Sequence, residues 1–190
     1  IEDAEVNDIY MKHLIAPGTF PDQQSYWSLS AGWAQPSDGD IIESGTTAGE
    51  IEYDAGWIIE GAIGNKISDL PIAYELALSY QQNEANMKGD STSLDVDVWT
   101  LMLNGMYFID SAPVLHPLFA GVGLIDYDSD DIDGDIDFAG QLGAGICYSI
   151  DPMTCLNLEY RYLFADNLEI NESEVEFNTQ ILQLGITYMY

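Results

Sequence analysis

From Leu182 to Tyr190 the chain alternates strictly, with Leu182, Leu184, Ile186, Tyr188 and Tyr190 on one face and Gln183, Gly185, Thr187 and Met189 on the other. A period of two is that of a β-strand. Seven earlier segments repeat the pattern, and each sets one face made only of apolar and aromatic residues or glycine. These faces are Trp27, Leu29, Ala31, Trp33; Tyr53, Ala55, Trp57, Ile59, Gly61, Ile63; Ile72, Tyr74, Leu76, Leu78, Tyr80; Trp99, Leu101, Leu103, Gly105, Tyr107, Ile109; Leu118, Ala120, Val122, Leu124; Leu142, Ala144, Ile146, Tyr148, Ile150; and Leu156, Leu158, Tyr160, Tyr162, Phe164. None of these positions carries a charge, so the segments predict eight strands that each bury or embed one face.

The opposite faces hold Gly32, Gly56, Gly64, Gly121, Gly123, Gly143, Gly145 and Gly185, together with Ser28, Ser30, Glu60, Glu75, Asn104, Gln141, Glu159, Arg161, Gln183 and Thr187. Apolar outside with small or polar inside is the pattern of a membrane-spanning barrel. A soluble ligand-binding barrel requires the inverse. The sequence contains no run of the roughly 18 to 20 apolar residues that a spanning helix needs. Without water to satisfy backbone groups in the hydrocarbon, a membrane chain of this kind has to close its sheet.

Aromatic residues sort by height when the strands run alternately up and down. Trp27, Tyr74, Tyr107, Tyr148, Tyr188 and Tyr190 fall near one rim, and Trp33, Tyr53, Tyr80, Trp99, Tyr162 and Phe164 near the other, as two interfacial girdles. The connections sort in step. Residues 64–71, 110–117 and 151–154 make short turns, whereas 35–50, 82–97, 126–137 and 165–178 are longer and acidic. The expected architecture is all-β: an eight-stranded antiparallel up-and-down transmembrane barrel over residues 25–190, with short periplasmic turns and long acidic extracellular loops.

The segments Tyr26 to Ala34, Ala73 to Tyr80, Leu101 to Tyr107 and Leu156-Asn-Leu-Glu-Tyr-Arg-Tyr162 resemble the OmpA, OmpX and opacity-protein class of small bacterial outer-membrane barrels. The resemblance spans Tyr26 to Tyr190 and rests most on the Glu-Tyr-Arg-Tyr strand and the terminal aromatic residue. It departs in the extreme acidity and in a terminal Tyr where Phe is usual. It implies an outer-membrane location, contact with outer-membrane lipid, and a C-terminal strand that the β-barrel assembly machinery reads.

Charge narrows the function. Thirty-three acidic residues oppose four basic ones, Lys12, Lys66, Lys88 and Arg161, for a net charge of -29. Such a surface repels phosphate backbones, which excludes nucleic-acid binding. An eight-stranded barrel has room inside for its own side chains and little else, so a filled lumen is expected, with Met102, Met106, Phe119 and Met189 adding bulk. A narrow ion channel is the alternative.

Glu60, Glu75, Glu159 and Arg161 share the inward face and are expected to form a charge network, because a charge in the lumen needs a partner. Glu60 and Glu75 flank the first turn at similar heights and repel unless a cation sits between them. Cys147 and Cys155 also point inward across the third turn. They are either a disulfide, as an oxidising envelope permits, or two buried thiols.

The stretch 126–137 supplies seven acidic residues. Asp128, Asp130, Asp131, Asp133, Asp135 and Asp137 are candidates for weak, collective binding of Ca²⁺ or Mg²⁺, which favour oxygen ligands. An EF-hand fits poorly: with Gly134 sixth, the twelfth position is Gly140 instead of a bidentate Glu. His13 and His116 both fall on the periplasmic side, which leaves the outer loops without the usual general base. A non-enzymatic protein is expected.

Residues 1–24 form a separate periplasmic tail. Val6, Ile9, Tyr10, His13 and Leu14 recur at helical spacing before Pro17, Gly18 and Pro21 break the pattern. The tail is read either as loosely ordered or as a short helix that docks on the barrel mouth or a neighbouring subunit. The start at Ile1, without Met or an apolar leader, fits a mature, processed form. The leading expectation is a structural or surface-interaction barrel whose loops engage cations or a protein partner, with self-association or a place in a larger assembly as alternatives.

Overall fold

A computed structural model describes residues 25–37, 39–43, 46–67, 70–87, 93–111, 114–129, 136–165, 168–170, 173–175 and 178–190. Twelve strands occur among them: β1 (Ser25–Pro36), β2 (Gly39–Glu43), β3 (Thr46–Tyr53), β4 (Gly56–Lys66), β5 (Ile72–Met87), β6 (Ser93–Ser111), β7 (Val114–Ser129), β8 (Ile136–Ser149), β9 (Thr154–Ala165), β10 (Leu168–Ile170), β11 (Ser173–Val175) and β12 (Asn178–Met189). Eight of them, β1, β4, β5, β6, β7, β8, β9 and β12, pair antiparallel in that order, and β12 returns to β1 to close the ring. The tail 1–24 lies outside the described residues.

The register fixes how the wall is wound. Starting at Tyr26 and stepping to the paired residue on each neighbour leads through Gly64, Glu75, Asn104, Gly121, Gln141, Leu163 and Thr179. The step back to β1 arrives at Pro36, ten residues beyond the start. This stagger tilts the strands and sets the barrel width, so it decides which inward side chains meet.

The two faces are those the alternation implies. Leu29, Trp33, Leu78, Leu103, Leu142, Leu158 and Leu184 are all exposed outside. Exposure reaches 76% at Phe138 and is 61% at Leu184. A water-soluble chain does not leave so continuous an apolar band uncovered. Rings meet at both rims. Trp27 and Tyr188 lie 6.0 Å apart at the short-turn rim, and Trp57, Tyr80 and Trp99 form a ladder at 5.2 and 4.8 Å at the long-loop rim. There Tyr80 donates to Asp97 at 2.8 Å and Trp57 donates to Gln82 at 3.1 Å. Tyr80 and Trp57 therefore rest in the apolar band while their polar atoms reach the wet side.

Two features depart from the expectation, and a third interrupts the wall. Alternation places Tyr53 in the outer girdle, but β3 pairs Tyr53 with Ala85 whereas β4 pairs Trp57 with Gln82, a register shift of one residue. The extra residue at 54–55 reverses the parity, as a bulge does, and places half-buried Tyr53 on the parity of lumen-facing Asn83. The long connections are also less irregular than their acidity suggests. The β5–β6 ladder continues to Asn86 and Ser93, and β2 and β3 form a hairpin that joins β5. Backbone pairing needs no apolar side chain, so strands outrun the apolar band. Finally, β7 skips two pairs with β8, between Leu115–Cys147 and Leu118–Ala144. Pro117 sits in that gap and has no N–H to donate.

Candidate functional site in the barrel lumen

Inward side chains stack in three levels. Near the long-loop end, Ala34, Ile58, Val98, Met102, Ile125, Ala139, Leu163 and Ile181 form one buried apolar cluster. Near the short-turn end, Tyr26, Ala73, Met106, Phe108, Leu115, Phe119, Cys147, Cys155 and Met189 form another. Charged and amide side chains lie between them.

Arg161 is the centre of the middle level and is 4% exposed. Its Nη1 pairs with Glu60, and its Nη2 donates to Glu159 Oε2 at 2.7 Å. With the carboxamide oxygen of Gln183 turned toward the guanidinium, that oxygen accepts from Nη2 at 3.0 Å, from Nε at 3.1 Å and from Ser30 at 3.2 Å. The Phe119 ring stacks 4.9 Å from the guanidinium carbon. The planar fork of arginine thus meets carboxylates, an amide and a π face together, which a lysine in its place does not reproduce.

Glu75 belongs to a second group. Tyr26 donates to its Oε2 at 3.1 Å, Asn104 donates to its Oε1 at 3.0 Å, and Gln141 donates to Asn104 at 2.6 Å. This chain follows the register line around the wall, and the residues that separate its members on that line are glycines. The Tyr26 ring occupies the space a Cβ on Gly64 would need, and the Asn104 amide does the same at Gly121. The expectation that Glu60 and Glu75 stand at similar heights is corrected here. Glu60 pairs with Ser79, four residues along β5 from Glu75, so the first reaches Arg161 and the second does not.

A cavity of about 30 Å³ lies beside both groups, lined by Tyr26, Ser28, Glu75, Asn157, Glu159 and Thr187 among others. Cys147 also borders it and is joined to Cys155 as a disulfide, with Cα atoms 5.7 Å apart. Of the six candidate metal-binding aspartates, Asp128 and Asp137 stand on β7 and β8, while Asp130, Asp131, Asp133 and Asp135 lie outside the described residues. Among the described residues no three acidic, His or Cys side chains are grouped to hold a metal. His116 stands near the start of β7, and His13 is outside the described residues.

The closed ring, the apolar outer band and the filled polar lumen are those of a bacterial outer-membrane barrel, and the comparisons agree. The family model of the outer membrane protein beta-barrel domain matches residues 18–189. The chain belongs to that family. No curated protein sequence matches it. Among solved structures, Neisserial surface protein A (NspA) superposes with a TM-score of 0.67 at 17% identity, covering 87% of this chain and 97% of that one. The outer membrane protein OprG of Pseudomonas aeruginosa gives 0.57 at 12% identity, covering 89% and 97%. The outer membrane protease OmpT of Escherichia coli gives 0.56 at 11% identity, covering 90% and 98%. At these identities the likeness is one of fold. The protein is a transmembrane barrel of the bacterial outer membrane.

Proposed function

We propose that the protein is a sealed structural or surface-interaction barrel. The observation that carries this reading is the layering of the lumen, with a charged belt between two apolar clusters. A continuous water path has to cross both clusters, and an ion in either loses its hydration without replacement ligands. The reading is non-enzymatic: the described long-loop end has aromatic and acidic residues and no histidine. Its contacts are outer-membrane lipid around the apolar band, the assembly machinery at β12, and a protein partner or second copy at the loops or tail. The acidic loop with Asp128, Asp130, Asp131, Asp133, Asp135 and Asp137 takes up Ca²⁺ or Mg²⁺ weakly and collectively.

Single-channel recording on refolded protein, combined with native mass measurement, tests the reading. Near-zero conductance is expected. Sustained conductance in symmetric salt would replace it with a narrow channel, and a stable oligomer would favour an assembly subunit. Protease resistance of the loop should rise with calcium more than with sodium at equal ionic strength, and equal protection would remove its claim to a cation.

A further inference from the structure

We propose that the lumen cavity between Glu75 and Glu159 is a binding site for one dehydrated hard cation. The first ground is charge. Glu60, Glu75 and Glu159 are all buried in the lumen against the single guanidinium of Arg161. Carboxylates taken out of water without a counter-charge are costly, and the charge is relieved either by a bound cation or by protonation of one carboxylate.

The second ground is where the polar groups point their unused capacity. The hydrogen bonds among the described residues reach Glu159 only at Oε2, from Arg161. Glu75 has neutral donors on both oxygens, from Tyr26 and Asn104, and no ion pair. Both carboxylates border the same cavity, beside the hydroxyls of Ser28 and Thr187 and the amide of Asn157. Asn157 is not among the ligands, because its Nδ2 donates to Thr187 at 2.6 Å and its Oδ1 lies 2.8 Å from Cys155 Sγ.

Size selects the occupant. The cavity of about 30 Å³ admits one or two water-sized bodies, so a single ion stripped of most of its water fits among these oxygens and an organic cation does not. Oxygen-only ligation is the preference of hard cations such as sodium and calcium. The site is internal and independent of the loop aspartates, and it goes beyond the sealed-barrel reading without requiring conduction.

The test is urea unfolding of the full chain in neutral phosphatidylcholine vesicles at mildly alkaline pH and fixed ionic strength, with sodium or calcium chloride replacing choline chloride. The expected result is a saturable rise of the unfolding midpoint with one of the two ions, which identifies the occupant. Most of that rise is lost in Glu75→Gln and in Ser28→Ala. In choline alone Glu75→Gln should equal or exceed the parent protein, because it removes the unbalanced charge and keeps the side-chain shape. An equal rise in parent and both variants would overturn the proposal by placing the ion on the loops. A midpoint indifferent to all three cations would overturn it as well.

Discussion

The two ends of the lumen are closed by different chemistry. The long-loop cluster is aliphatic apart from Met102, and Val98 and Ile125 within it are fully buried. The short-turn cluster adds aromatic rings, two methionines and the Cys147–Cys155 disulfide to Ala73 and Leu115, and it borders the cavity and Glu75. Branched aliphatic side chains have few rotamers and interlock. Thioethers and large rings fill irregular space and leave gaps. In the proposed reading the first end is the seal and the second the site, with the Arg161 group between them.

The division breaks most sharply at Arg161. Arg161→Met leaves Glu60 and Glu159 buried without their counter-charge, and removal of one partner from such a pair costs about 3–5 kcal/mol. Urea unfolding in vesicles should show that loss. Glu75→Gln, on the other side of the division, should be close to neutral in sodium-free buffer. Comparable losses in both variants would mean that the two groups act as one network and that the boundary between seal and site is misplaced.

The next effect compares the clusters directly. Leu163→Ala in the seal removes a side chain only 2% exposed, and the cost is about 3 kcal/mol, within the range for buried leucines. Met106→Ala in the site should cost about 2 kcal/mol or less, because its surroundings already contain a cavity and relax around the loss. Conductance should respond in the same direction, with a leak appearing first in a Leu163→Ala and Ile125→Ala double variant. A leak arising first from Met106→Ala would reverse the assignment of the seal.

Much of this was legible in the alternation. Period-two faces place Leu184 outside and Gln183 inside without any coordinates, and they mark Arg161 as an inward charge. What alternation does not contain is the ten-residue stagger of the barrel. That stagger sends Glu60 to Arg161 and Glu75 to Tyr26 and Asn104, although the two glutamates look equivalent on either side of one turn. Alternation misplaces Tyr53 for a related reason, since a single extra residue at Asp54–Ala55 reverses parity and leaves no trace in residue type. The loop ladders are not legible in residue type because acidic side chains are compatible with paired backbone once strands rise above the apolar band. The polar lining of the cavity was visible in Ser28, Glu75, Glu159 and Thr187, but their convergence depends on the same stagger.

The smallest effect belongs to the turn that closes the site end. In the β8–β9 connection, Asp151 accepts from the Met153 backbone N–H at 2.8 Å. Hydrogen bonds from that N–H and from Thr154 hold the exposed Asp151 carboxyl below its ordinary value. A carboxyl lowered in the folded state contributes stability above its unfolded value of about 3.9 and loses it as pH falls through the folded value. Acidification through that window should therefore speed hydrogen exchange of the Met153 amide while the Val98 and Ile125 amides at the seal stay protected. Asp151→Ala should give the same fast exchange at neutral pH and remove the pH step. If Val98 and Ile125 open together with Met153, the two ends unfold as one unit, and the distinction between seal and site is chemical but not dynamic.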